Sequence, residues 1–355
     1  MTYERKNIQA MDAYIPGEQI DTPGILKLNT NENPYPPSPA VARALAGCDV
    51  ARLRQYPPPT ARGLQEAIAT LHGVKADNVI VTNGGDELLR MAIATFVEPT
   101  EKLAVVRPTY TLYQVLADAH GCTVAALELN ADWTLPDNVG KQLNDTGARL
   151  AFIVNPHAPS GRLTPINEIA AIAGDFKGVL MLDEAYIDFV DPELAYDSAS
   201  LLDSFDNVLI LRTFSKGYSL AGLRMAYGIG APALIRPLMK TKDSYNTDLV
   251  SQTLAMASIQ DQAYARQTWD SVRKERRRVI TALRAAGYTV PDSQSNFILA
   301  QVPAGKSADS IYQALKDRGI LVRYFSKEDR LGDKLRITIG APADNERLLA
   351  AMAEI

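Results

Sequence analysis

The rhythm of hydrophobic and polar positions changes along the chain. Residues 1–40 show little periodicity and carry much Pro, Asn and Gly, most densely in LNTNENPYPPSP at 28–39. Such a stretch predicts an extended arm laid over another part of the protein. From Thr60 the pattern becomes helical, with Leu64, Ile68 and Leu71 on one face, Thr60 placed to cap the start and Gly73 to end it. Short apolar runs then alternate with helical stretches: VIVT at 79–82, LAVVR at 103–107, AFIV at 151–154, VLML at 179–182, VLIL at 208–211 and AYGIG at 226–230. Runs that are apolar on both faces and joined by helices predict a mainly parallel sheet covered on both sides. Residues 264–287 read as one long helix leading to a smaller unit with strands near 296–302, 320–325 and 334–340. The expectation is an α/β fold with an arm (1–40), a large unit (41–265) and a small C-terminal unit (266–355).

The whole-chain figures narrow the function. The 355 residues are 46% hydrophobic and 22% charged, enough for a sizeable core in about two domains. A net charge of -4 offers no basic footprint for nucleic acid, and Arg276-Arg277-Arg278 reads as a solvated helix face. The N-terminal stretch MTYERKNIQAMDAY has no apolar core, and no run approaches the roughly 20 apolar residues needed to span a bilayer, so a cytoplasmic location is expected. Cys48 and Cys122 are far apart and predict reduced thiols. With His72, His120 and His157 scattered, no metal-ligand spacing arises.

In parallel sheets ligands collect outside the carboxyl ends of the strands, and here those ends are polar. VIVT leads into Asn83-Gly84-Gly85-Asp86-Glu87 and a helix, where bare N–H groups make an anion cradle, although strand-Gly-Gly-helix is also an ordinary tight turn. GxGxxG is absent. Ala304-Gly305-Lys306-Ser307 is no phosphate loop either, since Ala300 stands where that motif needs glycine. AFIV ends at Asn155-Pro156, VLML at Asp183-Glu184-Ala185-Tyr186 and VLIL at Arg212-Thr213-Phe214-Ser215-Lys216. A carboxylate as deep as Asp183 calls for a cationic partner, from a ligand or from a structural ion pair. An ammonium at Lys216 is disfavoured beside a buried strand end, and a lowered pKa is what an imine-forming lysine requires.

Together these pieces resemble the fold-type I aminotransferases: TFSKGYSLAGLR at 213–224, NPHAPSG at 155–161 and DEAY at 183–186 occur in the family's order. The resemblance implies that Lys216 binds pyridoxal 5'-phosphate as an imine and that Asp183 pairs with its ring nitrogen. It further implies that Asn155 and Tyr186 reach the ring oxygen, that Ser215 and Arg224 hold the phosphate beside Gly84, Gly85 and Asp86, and that Tyr110 lies against the ring. Core packing is the lesser alternative for Tyr110. Tyr56 matches a tyrosine that reaches the phosphate from a partner subunit, which implies a homodimer.

The arm motif, QYPPPTARGLQEAI and VTNGGDELL, with ILVRYF and LRITIG, is similar to the histidinol-phosphate aminotransferase family. On that likeness Arg336 takes the carboxylate of glutamate, while Arg323 and Tyr14 take the phosphate of histidinol phosphate. Two arginines in apolar strands imply two anions or two structural ion pairs. Two departures stand out: His157-Ala158 where the family has Asn-Asn, and Gly85 where it often has a hydroxyl or methyl. The implied activity is ping-pong transamination in histidine biosynthesis. Aromatic amino-acid transamination and phosphothreonine-type decarboxylation share the scaffold, whereas a cofactor-sensing regulator would need an added DNA-binding module.

Overall fold

A computed structural model of the chain describes residues 3–14, 17–20, 22–328 and 330–355. The arm supplies the first strand, β1 (Leu26–Lys27). Seven more form one sheet: β2 (Val79–Thr82), β3 (Lys102–Arg107), β4 (Thr123–Glu128), β5 (Leu150–Val154), β6 (Val179–Asp183), β7 (Val208–Thr213) and β8 (Ala226–Gly230). Their spatial order is β2-β8-β7-β6-β5-β3-β4, and every neighbouring pair is parallel except the two made by β8. Alternation within each run feeds two cores: Ile153 and Leu182 join one, Phe152 and Met181 the other. β4 is not among the predicted runs because it is the sheet edge, and none of its positions is fully buried.

The order reverses between β3, whose chain crosses outward to β4, and β5, whose chain crosses inward to β6. The crevice at that switch, over the carboxyl ends, is where such sheets hold ligands.

The predicted helix after Thr60 spans Arg62–His72 and ends at Gly73 in the left-handed region (φ 66), but Thr60 does not cap it. Ala61, itself left-handed at φ 50, occupies the cap position, leaving Thr60 one residue too early. The long helix spans Gln262–Ala285, capped by Asp261, whose side chain accepts from the Tyr264 N–H. Its arginine triplet corrects the sequence reading. Arg276 is only 1% exposed and donates to the carbonyls of Phe189 (2.7 Å) and Ser295 (3.0 Å) and to Asp191 (2.9 Å), so it ties the helix to both units. Arg277 alone keeps the solvated character, with 62% of its side chain exposed.

The smaller unit contains β9 (Phe297–Gln301), β10 (Ile320–Leu321), β11 (Arg323–Tyr324) and β12 (Lys334–Thr338). The single run predicted at 320–325 is split at Val322: β10 pairs in parallel with β1 of the arm, while β11 joins the antiparallel sheet β11-β12-β9. The arm is thereby stitched to the small unit, and Leu28 enters its core beside Ile320 and Ile337.

Candidate active site

The turn after β2 opens the helix Gly85–Phe96. Gly84 has φ 79, and a Cβ there would lie 2.7 Å from Arg224 Nη2, so glycine is required both by conformation and by close approach. Arg224 donates to Ser215 Oγ (3.4 Å) and to the Ala221 carbonyl (3.2 Å), and its Nη2 stands 3.5 Å from the Asp86 carboxylate. A guanidinium, a hydroxyl and the free N–H groups of a helix start thus converge on one spot, an arrangement suited to a dianion.

Deeper in, Asp183 closes β6 with its carboxylate buried. It accepts from Tyr113 Oη (2.7 Å) and the Ala185 N–H (3.1 Å), and it forms no ion pair among the described residues. Burial outweighs those two hydrogen bonds and pushes its pKa up to about 6. Burial also holds Tyr113 well above the usual phenol range, so it is the donor. Lys216 Nζ donates to the Thr30 carbonyl (2.8 Å) and lies 5.9 Å from the Tyr186 ring. Desolvation, then the charge of Arg336, draws its pKa down to about 8, leaving a usable fraction of free amine near neutrality.

Opposite stand the two strand arginines. Arg323 of β11 and Arg336 of β12 are directly cross-strand partners. Arg336 donates through Nη2 to the Asn29 carbonyl (2.8 Å), while its Nε is buried with no partner. Its guanidinium lies 5.7 Å from the Phe325 ring and that of Arg323 5.5 Å from the same ring, and neither has a carboxylate partner among the described residues. Two like charges on one phenyl ring, one of them desolvated, make a site for anions supplied from outside.

Asp86, Asp183, Ser215, Lys216, Arg224, Arg323 and Arg336 border one cavity of about 300 Å³, which straddles the β3–β5 switch and the small unit. Tyr14 and Tyr110 meet there edge to face, 5.8 Å between centroids. Of the residues singled out in sequence, only Gly84, Asn155 and Tyr56 do not line it. Gly84 lies behind Arg224. Asn155 is fully buried; its Oδ1 accepts from the Thr164 N–H (2.8 Å), and its Nδ2 donates to the Thr164 carbonyl (3.0 Å) and Tyr196 Oη (2.9 Å). Both of its amide N–H groups are spent on protein acceptors, so the expected ring contact does not come from this residue as placed here. Tyr56 is 81% exposed and stacks on Tyr245 at 4.4 Å, outside the cavity of its own chain.

The first departure from the family pattern divides in two: Ala158 lines the cavity, whereas His157 serves the fold. His157 is buried and bridges Pro108 O (2.8 Å) and Ser160 Oγ (2.7 Å), fastening the loop after β3 to the one after β5. Burial lowers its pKa to about 4, so it is neutral. At Gly85 a methyl would meet Leu211 at 3.4 Å, an ordinary van der Waals contact, so the fold itself leaves room for a side chain there. Sequence reasoning missed Tyr113, Thr30 and Asn31. The only signal for Tyr113 was its place three residues after Tyr110.

The class I and II aminotransferase family model matches residues 23–352. Among curated relatives, histidinol-phosphate aminotransferase 1 of a Nostoc species is 41% identical over 354 residues, covering 99% of this chain and 98% of the relative. Histidinol-phosphate aminotransferase of Geotalea daltonii is 39% identical, covering 99% of both chains. Among solved structures, histidinol-phosphate aminotransferase from Sinorhizobium meliloti in complex with pyridoxal-5'-phosphate superposes with a TM-score of 0.88 at 23% identity, over 100% of this chain and 97% of that one. Fold, site and family model agree on the class: the chain belongs to the class I and II aminotransferases. The full-length relatives place it more narrowly, in the histidinol-phosphate aminotransferase family.

Proposed function

We propose that this chain is a pyridoxal-phosphate-dependent histidinol-phosphate aminotransferase, exchanging an amino group between histidinol phosphate and 2-oxoglutarate in histidine biosynthesis. One observation carries the reading. A single cavity gathers a lysine amine, a buried carboxylate and the guanidinium groups of Arg323 and Arg336, none of which forms an ion pair among the described residues.

The residues fit the cofactor. Asp183 lacks a cation, and a protonated ring nitrogen supplies one. Ser215, Arg224 and the helix start at Gly85 suit its phosphate, and Lys216 its aldehyde. Pyridoxal phosphate, when bound, supplies an electron-withdrawing ring that acidifies the substrate's α-proton. Asp183 keeps the proton on the ring nitrogen, a task its burial favours by strengthening the attraction. Lys216 Nζ takes the α-proton and returns it, which a pKa near 8 allows. Tyr110 lies along one wall and keeps the ring from tilting. Arg336 is assigned the glutamate carboxylate, and Arg323 with Tyr14 the substrate phosphate.

Tyr56 is assigned to the phosphate of a second copy's site. Leu45, Val50, Leu53, Tyr56 and Tyr245 are all exposed large apolar side chains, four of them within residues 45–56, and this supports a homodimer interface. We also take the arm, large unit and small unit to divide at 1–40, 41–265 and 266–355, and the protein to work in the cytoplasm. No helix among the described residues is long and apolar enough to cross a membrane.

The test is a rate comparison on cofactor-loaded protein. Glutamate followed by imidazole-acetol phosphate should yield 2-oxoglutarate and histidinol phosphate, at a kcat/KM well above that for phenylalanine or tyrosine. A preference for the aromatic amino acids, or release of carbon dioxide in place of amino exchange, overturns the substrate assignment.

A further inference from the structure

One arm residue reaches the cavity in a conformation that few side chains adopt. Asn31 is 1% exposed and has φ 56. Asparagine tolerates this left-handed region better than most residues. Its neighbours meet the functional groups through their main chain: the Asn29 carbonyl accepts from Arg336, and the Thr30 carbonyl from Lys216. Asn31 alone does so with its side chain, whose Nδ2 donates to Tyr186 Oη at 3.1 Å.

The direction of that hydrogen bond is fixed by the far side of the amide. The Thr338 hydroxyl accepts from the Asn31 N–H (3.0 Å) and donates to Asn31 Oδ1 (3.2 Å), which leaves Nδ2 facing Tyr186. The Asn31 carbonyl is held in turn by Asn296 Nδ2 (2.9 Å). Tyr186 Oη therefore accepts from Asn31, and its one proton has to be donated elsewhere. Tyr186 lines the cavity, so that proton points to whatever the cavity binds. The other charged or titratable groups that face Tyr186 among the described residues are Lys216, Arg336, Asp183, Tyr14, Tyr110 and Tyr113.

We propose that Asn31 is a positioning residue that makes Tyr186 an obligate hydrogen-bond donor into the cofactor cavity. Because Thr338 and Asn296 both belong to the small unit, the donor is set only when arm, sheet and small unit are docked together. This inference rests on the functional reading above, in which the acceptor is the ring oxygen of pyridoxal phosphate. A donated hydrogen bond stabilises negative charge on that oxygen and lowers the pH at which the lysine-linked chromophore loses its proton. Without an oriented Tyr186 the midpoint rises.

The experiment is a pH titration of the visible absorption band in cofactor-loaded wild type, Asn31→Gly, Asn31→Asp and Tyr186→Phe, with both Asn31 changes repeated on the Tyr186→Phe background. Glycine adopts φ 56 without strain, so Asn31→Gly removes the amide while sparing the backbone. Asn31→Asp keeps the shape and turns the donor into an acceptor that captures the Tyr186 proton. The expected result is a midpoint raised by about one pH unit in Tyr186→Phe, a rise of the same sign in Asn31→Gly and at least as large in Asn31→Asp, and no further rise from Asn31→Gly in the double variant. Midpoints of both Asn31 variants equal to wild type, or a Gly shift that simply adds to that of Tyr186→Phe, overturn the proposal. Absence of a visible band in the loaded wild type overturns the functional reading itself and this inference with it.

Discussion

At the end of β6 two carboxylates stand side by side in opposite electrostatic surroundings. Glu184 is satisfied three times over, by Arg212 Nε (3.0 Å), Ser198 Oγ (2.8 Å) and Tyr196 Oη (3.1 Å). Asp183, one residue earlier, has a phenol and one backbone N–H but no cation. The arginines repeat the contrast. Arg276 fills its fork with two carbonyls and Asp191, whereas Arg336 makes one hydrogen bond and leaves Nε bare. Groups of the first kind hold the molecule together. Those of the second kind are left incomplete by the fold, and a bound molecule completes them.

If that division is correct, substitutions on the two sides should fail in different assays. The largest effect belongs to Lys216→Ala, which should reduce transamination by roughly 10⁴-fold while leaving the melting temperature of the cofactor-free protein unchanged or higher, since no ion pair is lost. Next, Glu184→Ala should cost about 3–5 kcal/mol in urea unfolding, because it strands the buried Arg212 guanidinium, and Arg276→Met about 2–4 kcal/mol, because it takes the donor from the carbonyls of Phe189 and Ser295 while Asp191 keeps Arg277. Arg336→Met should cost little in the same measurement. Its loss should appear instead as a KM for glutamate raised about 10- to 100-fold, the worth of one charge-assisted pair. A drop in stability at Arg336→Met as large as at Arg276→Met would erase the distinction.

Asp183 gives a pH signature. In the folded, cofactor-free protein its pKa is raised to about 6, above its unfolded value, so the native state binds the extra proton between the two. Stability should therefore fall as pH rises from about 4 to 6, by roughly 3 kcal/mol for a shift of about two units. Asp183→Asn should flatten that fall, read as the difference between the two proteins' unfolding free energies across the window. It should also reduce kcat by about 10²- to 10³-fold in loaded enzyme. The smallest effect is expected at Tyr56→Phe, about a 10-fold weaker hold on the cofactor, one hydrogen bond to a charged group.

Much of this was legible in the chain itself, because strand ends announce themselves: an apolar run that stops at Asp183 or just short of Lys216 states both depth and direction. The paired arginines were legible for the same reason, being charges inside apolar strands. Other features depend on partners far along the chain. Arg276 follows the helix's polar pattern in sequence, yet it packs against carbonyls at 189 and 295 that no local pattern announces. Asn155 reads as a ligand contact from its place at a strand end, yet Thr164 and Tyr196, distant in sequence from that end, occupy its amide. Tyr113 reads as core packing, and its hydroxyl finds Asp183 only because the first turn of the helix Leu112–His120 brings it to the end of β6. The arm's strand pairing at Leu26–Lys27 is too short to leave a periodicity.

The central claim is that Lys216 is the residue left incomplete for a covalent partner. Cofactor-loaded protein should be reduced with borohydride, digested and mapped by mass. A pyridoxyl phosphate adduct on Lys216, absent from Lys216→Ala, is the predicted result, and an adduct on another lysine, or none in the wild type, contradicts the account.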